Sequence, residues 1–275
     1  MLRRTPALAA AATILLLTTA PSLAVNDGLL DGSTHPAVGF LVGSRDANGC
    51  LGQAVGCSAV LIAPDVLMTS AECAVAFNEA LMTPGFISHV WVTFEPNDPF
   101  DCTKFVEVGS AGADGIPFTG DAGEVIPLVA NPAFDPDHGG SGNVAVGRLA
   151  APVAVSPVEL PSAGELFTLD RSQAYTVVAY GINTDENLLS LARRFATARS
   201  LGFTSELLAL TFKLGGQTRA CIGSLNEGGA AFVESTNRVE ALVTDKKGGC
   251  SGNSTYQRLD VDSVRDFLGQ YVTLP

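Results

Sequence analysis

Positive charge is scarce in this chain. Sixteen Lys and Arg stand against 28 Asp and Glu in 275 residues, leaving a net charge of -12 at pH 7. A surface of that sign repels phosphate backbones and anionic bilayers, so nucleic acid and membrane are excluded as partners. Histidine is limited to His35, His89 and His138, and the six cysteines include no CxxC pair, which removes the usual ligand spacing of a zinc knuckle. There is no internal repeat and no low-complexity linker. Beyond the first 24 residues no apolar run approaches the roughly 20 residues that a membrane helix needs.

The start of the chain, MLRRTPALAAAATILLLTTAPSLA, is different. Two arginines precede an apolar run from Ala7 to Leu17, and a small-residue site closes on Ser22-Leu23-Ala24. This reads as a secretory signal peptide over residues 1–24, cut after Ala24, and its apolar run is too short for a membrane anchor. Losing Arg3 and Arg4 with it takes the net charge from -12 to -14. The expected mature protein, residues 25–275, is exported to an extracellular or periplasmic space. There all six cysteines are expected in three disulfides.

The rest of the chain is made of short β-type runs punctuated by Gly, Pro, Asn and Asp. Examples are AVGFLVG (37–43), SAVLIA (58–63), HVWVTFE (89–95), YTVVAYG (175–181) and RVEALVT (238–244). That rhythm marks an all-β sandwich or barrel. A helix is expected at the tail, where Val261, Val264, Phe267, Leu268 and Tyr271 recur at helical spacing, and NLLSLARR (187–194) suits one helical turn or a loop. AAPVAVSP (150–157) suits a crossover between two halves.

Several segments, in uninterrupted order, carry a resemblance. CSAVLI (57–62) and TSAEC (69–73) place two cysteines sixteen residues apart, and VIPLVANPAFDP (125–136) leads to NVAVGRLAAPVAVSPVELP (143–161). TVVAYG (176–181) and CIGSLNEGGAAFVES (221–235) follow, with Cys250 29 residues after Cys221, and TYQRLDVDSVRDFL (255–268) ends the series. The chain resembles the trypsin-like (chymotrypsin-fold) serine proteases over residues 29–272. The resemblance implies two antiparallel Greek-key six-stranded β-barrels, at about 33–150 and 151–260, and a C-terminal helix at about 261–272. It also implies the bridges Cys57–Cys73 and Cys221–Cys250, leaving Cys50 and Cys102 as the third pair. Each would stabilise by about 2 to 4 kcal/mol.

Catalysis in this family needs a serine nucleophile, a histidine to take its proton and an aspartate to hold the histidine's tautomer. Matched residue by residue, Glu72 stands at the histidine position, Asn143 at the aspartate and Glu227 at the serine. A carboxylate of ordinary pKa, about 4.3, is a weak base toward a hydroxyl. The loop from Cys221 to Glu227 also spans six positions where the family has four. A second register, with Gly223 on the family's glycine, puts Leu225 in the nucleophile slot and Ser224 beside it. Neither register supplies the serine. Activation by a new amino terminus is expected to be lost as well: Leu29-Leu30-Asp31-Gly32 has no Lys or Arg nearby, and Asn226 replaces the aspartate that would receive the amine.

His35, His89 and His138 fall at none of these positions, and Ser141 near His138 sits in the glycine-rich turn HGGSGN (138–143). Two readings follow. One is a non-catalytic binding or regulatory protein, monomeric, whose partner is a protein or peptide. The other is a hydrolase in which Glu72 and Glu227 act as a carboxylate pair. In either, Glu72 and Glu227 would share a proton, hold a Ca2+ or Mg2+ ion, or point into solvent. A second acidic group, Glu95, Asp98 and Asp101, is a further candidate for calcium. No other cofactor is expected.

Overall fold

The computed structural model describes residues 25, 28–49, 54–111, 124–125, 128–135, 141–170, 172–181, 191–214, 217–218, 222, 225–244 and 252–275. Nearly all of its regular structure is antiparallel sheet. Strand β1 (Leu29–Leu30) belongs to the second sheet. The first sheet holds β2 (Val38–Ser44), β3 (Ala54–Ala63), β4 (Val66–Thr69), β5 (His89–Thr93), β6 (Val106–Ala111), β7 (Glu124–Val125), β8 (Val129–Ala130) and β9 (Ala145–Arg148). Its order is β7-β6-β5-β2-β3-β4-β9-β8. The six longer strands curl until Ala150, just past β9, donates its N–H to Glu107 O on β6 at 2.9 Å.

The second half contributes β10 (Ala174–Gly181), β11 (Ala192–Phe203), β12 (Leu207–Thr211), the hairpin β13 (Lys213–Leu214) and β14 (Gln217–Thr218), and then β15 (Ala230–Val233), β16 (Val239–Val243) and β17 (Asn253–Arg258). The order is β1-β11-β10-β15-β16-β17-β12, and β12 pairs back with β11, closing a six-stranded barrel with β1 on its outside. Alternation drives this closure. In β12 the buried Leu208 and Leu210 face inward with Tyr175, Val177 and Tyr256. Each such apolar side chain contributes about 1.5 to 3 kcal/mol by leaving water. The expected two-barrel architecture is the one observed.

Two α-helices are present among the described residues, against one expected. The tail helix α2 covers Asp262–Leu268 and buries Val264, Phe267 and Leu268; it ends at Gly269, short of the expected 272. The unexpected helix, α1, covers Ala71–Met82. Ser70 caps it, its Oγ accepting the Cys73 N–H at 3.2 Å, and Ala, Glu, Leu and Met favour the helix intrinsically. Ala74, Phe77, Ala80 and Leu81 form its buried stripe. Asn78 Nδ2 donates to Leu128 O at 3.0 Å, docking the helix beside β8.

The two halves are joined by core as well as by chain. One apolar cluster runs from Leu41, Val60 and Leu67 of the first barrel to Phe232, Leu242 and Leu268 of the second half. A buried cation crosses the same boundary. Arg193 of β11 donates from Nε to Asp31 Oδ2 at 2.9 Å and from Nη1 to Val38 O and Phe94 O, both at 3.0 Å; its Nη2 reaches Gly32 O at 2.5 Å.

Candidate functional site

Glu72, Asn143 and Glu227 are brought to one point where the barrels meet. Glu72 lies half-buried in the first turn of α1, and its N–H donates to Asn143 Oδ1 at 3.2 Å. Asn143, fully buried ahead of β9, donates its own N–H to Oε1 of the buried Gln257 on β17 at 3.1 Å. Glu227 O accepts the Ser58 N–H at 2.8 Å and faces Cys73 Sγ at 3.8 Å. The Cys57–Cys73 disulfide, with Cα atoms 6.3 Å apart, ties β3 to α1 and so holds Glu72 against the Glu227 turn.

The turn that carries Glu227 is fixed by its glycines. Gly228 has φ +83°, and a Cβ there would lie 2.1 Å from Ser58 O and 2.2 Å from Thr69 Oγ1. A Cβ on Gly229 would lie 2.5 Å from Ala179 Cβ. Only glycine fits either place. Leu225 adopts φ +78°, a rare conformation for a bulky side chain, and packs into an apolar cluster with Phe40, Trp91 and Tyr180. Its carbonyl accepts the Ser58 hydroxyl at 2.9 Å; the same hydroxyl accepts the Tyr180 N–H at 2.9 Å. Asn226 Nδ2 donates to Tyr180 O at 2.6 Å.

Glu227 is therefore the turn residue beside the disulfide, and Leu225 is directed to Gly56 and Phe40 instead. Ser58, the hydroxyl that holds the turn, is completely buried and committed at both ends, so it is not a nucleophile. Sequence reading missed both Ser58 and Gln257. Small polar residues inside strands carry no periodic signal that separates a buried network from a solvated face.

The remaining candidates lie elsewhere. His35 is bonded through Nδ1 to Asp31 Oδ1 at 2.5 Å, and His89 through Nδ1 to Glu107 Oε1 at 2.9 Å with its ring stacked on Trp91. In the acidic loop, Asp98 Oδ1 accepts the Phe100 N–H and Asp101 Oδ1 caps Thr103, so both carboxylates serve local turns. Among the described residues no three His, Cys, Asp or Glu side chains converge to hold an ion. At the chain's start, Leu29 and Leu30 are exposed on β1, whereas Val25 is the side chain buried in the second barrel. Cys102 is disulfide-bonded. Cys50, Cys221, Cys250, His138, Gly223 and Ser224 lie outside the described residues.

No family model and no curated protein matches the sequence. Solved structures do: HL collagenase superposes with a TM-score of 0.60 at 17% identity, covering 89% of this chain and 96% of that one. The fold is that of the chymotrypsin-like serine proteases. The Vibrio cholerae VesB protease has a TM-score of 0.58 at 16% identity, over 87% of this chain and 64% of its own. The scabies mite inactivated protease paralogue S-I1 reaches 0.60 at 11% identity, over 88% and 96%. In this chymotrypsin-like chain the two glutamates and the asparagine meet at the junction of the two barrels.

Proposed function

We propose that this chain is an exported, catalytically inactive protein of chymotrypsin-like fold that acts by binding a protein or peptide. The observation that carries the reading is the composition of the convergence point: Glu72, Asn143 and Glu227, with neither hydroxyl, thiol nor imidazole among them. Acyl transfer needs a nucleophile and a base matched to it. The fold's turn persists, because Gly228 and Gly229 still pack against β3, β4 and β10, so the loss concerns chemistry rather than architecture. The scabies mite structure, described as an inactivated paralogue, supports the same kind of divergence. The Cys57–Cys73 bridge suits export.

A second reading is favoured by one feature: two carboxylate residues stand at the same junction, the composition of an acid/base pair. Mass-spectrometric analysis of a peptide library incubated with the purified protein separates the two. The expected result is no cleavage, in the wild type or in the Glu72→Ala, Glu227→Ala double variant. Cleavage by the wild type that vanishes in the double variant establishes the carboxylate hydrolase instead.

A further inference from the structure

Apart from this junction, a cavity of about 770 Å3 opens between the crossover, the turn Glu165–Phe167, the start of β16 and the final residues of the chain. None of Glu72, Asn143 and Glu227 lines it. Its volume falls in the ordinary range for ligand pockets, about 300 to 1,000 Å3. The floor is apolar, formed by Ile62, Val158, Leu160 and Leu274.

One wall is acidic. Glu159 is exposed at the rim. Arg238 Nε donates to Glu165 Oε1 at 2.9 Å, and Glu165 Oε2 accepts the Ser162 N–H at 2.8 Å, so the two carboxylates that line the cavity, Glu159 and Glu165, stand against one lining guanidinium. Arg265 donates to the oxygens of Pro161 and of the lining residue Pro275, stapling the tail that forms the opposite wall. The cavity thus joins an apolar floor to an excess of negative charge.

From this we infer that the cavity receives a lysine or arginine side chain of a partner protein, presented beside an aliphatic residue in an extended segment. Lys and Arg carry an apolar stem and a cationic head, the combination that matches floor and wall. Anionic ligands meet Glu159 and Glu165, and a purely apolar ligand would strip water from those carboxylates without replacing it. The net charge of -12 draws basic partners from a distance. Because the cavity is separate from the Glu72–Glu227 junction, the inference holds whether or not that junction cleaves peptides.

The probe is a fluorescein-labelled peptide of alternating Lys and Leu, titrated with the full mature protein and followed by anisotropy. A peptide of alternating Glu and Leu is the control. The Lys peptide is expected to bind, and Glu159→Lys and Thr273→Trp, both at exposed lining positions, should each weaken it about tenfold. Thermal melts check that each variant is folded. The Glu72→Ala, Glu227→Ala variant is expected to bind as the wild type does. Absence of binding to the wild type, equal binding of the Glu peptide, or full binding by both cavity variants overturns the inference. Binding lost only in the double variant also overturns it, by moving the peptide to the cleft, yet leaves a binding protein.

Discussion

Asp31 and Glu240 are carboxylates whose side chains are both fully buried, and each touches an arginine, yet their acidities move in opposite directions. Burial pushes Asp31 up, but hydrogen bonds and charge from His35, joined by Arg193, outweigh it and hold the carboxyl below its usual range. Burial raises Glu240 to about 7; the charge of Glu165 adds to the rise, and Arg238 opposes it only in part. The difference lies in the partners. Both Asp31 oxygens are met, Oδ2 by the His35 N–H at 3.0 Å and by Arg193, and Oδ1 by His35 Nδ1. Glu240 shares one nitrogen of Arg238 with Glu165, and among the described residues its Oε2 has no hydrogen-bond partner. Depth alone does not decide a buried acid's charge; the number of donors that reach it does.

The comparison breaks most sharply at Arg193. Arg193→Ala leaves Asp31 with His35 alone and frees three carbonyls, and it should cost about 3 to 5 kcal/mol in chemical denaturation. Because a depressed carboxylate stabilises the fold above its unfolded pKa of 3.8 and ceases to do so as pH falls through the lower folded value, the variant should also unfold at a higher pH in acid titration.

Glu240 gives the opposite sign. Its folded value of about 7 lies above the unfolded 4.5, so its contribution is complete below pH 4.5 and is lost as pH rises through 7. By linkage, wild type should lose about 3 kcal/mol of stability across that window, and Glu240→Gln should not. Denaturation midpoints measured between about pH 5 and 8 decide it. Arg238→Gln should sharpen the contrast, removing about 1 kcal/mol of support from Glu240 and moving the midpoint of that pH dependence upward. Smallest is His35→Gln, which keeps a donor near Asp31 and should cost about 1 kcal/mol or less in a urea melt at neutral pH.

These buried charges were not legible in the sequence. Arg193 lies near the end of NLLSLARR (187–194), which reads as one helical turn or a loop; only the register of β11 against β1 and β10 places it at the barrel junction. Glu240 in RVEALVT reads as the polar face of a half-exposed strand, whereas all five residues of β16 are buried. Helix α1 was legible in principle, with Ser70 before a run of helix formers and Ala74, Phe77 and Leu81 at helical spacing. Strand punctuation on both sides and the cysteine motif ending at Cys73 hid it. What did read through from local chemistry were the alternating strands and the apolar stripe of α2, while the Cys57–Cys73 bridge was implied by the resemblance. The three converging positions, Glu72, Asn143 and Glu227, came from the resemblance, because no local pattern joins residues so far apart in the chain.

The placement of β1 carries a consequence for how the molecule comes apart. This two-residue strand precedes the entire first barrel yet pairs with β11 of the second, Leu29 opposite Phe195 and Leu30 opposite Arg194. Residues 29–30 are thus a strap laid on the other half, with Asp31 immediately behind it on Arg193. The strap, the Arg193 bonds to Asp31, Val38 and Phe94, and the shared apolar cluster tie the two halves together, so they are expected to melt as one. Calorimetry should record one heat-absorption peak, and the halves on either side of the crossover, made as separate polypeptides, should gain their structure only when mixed.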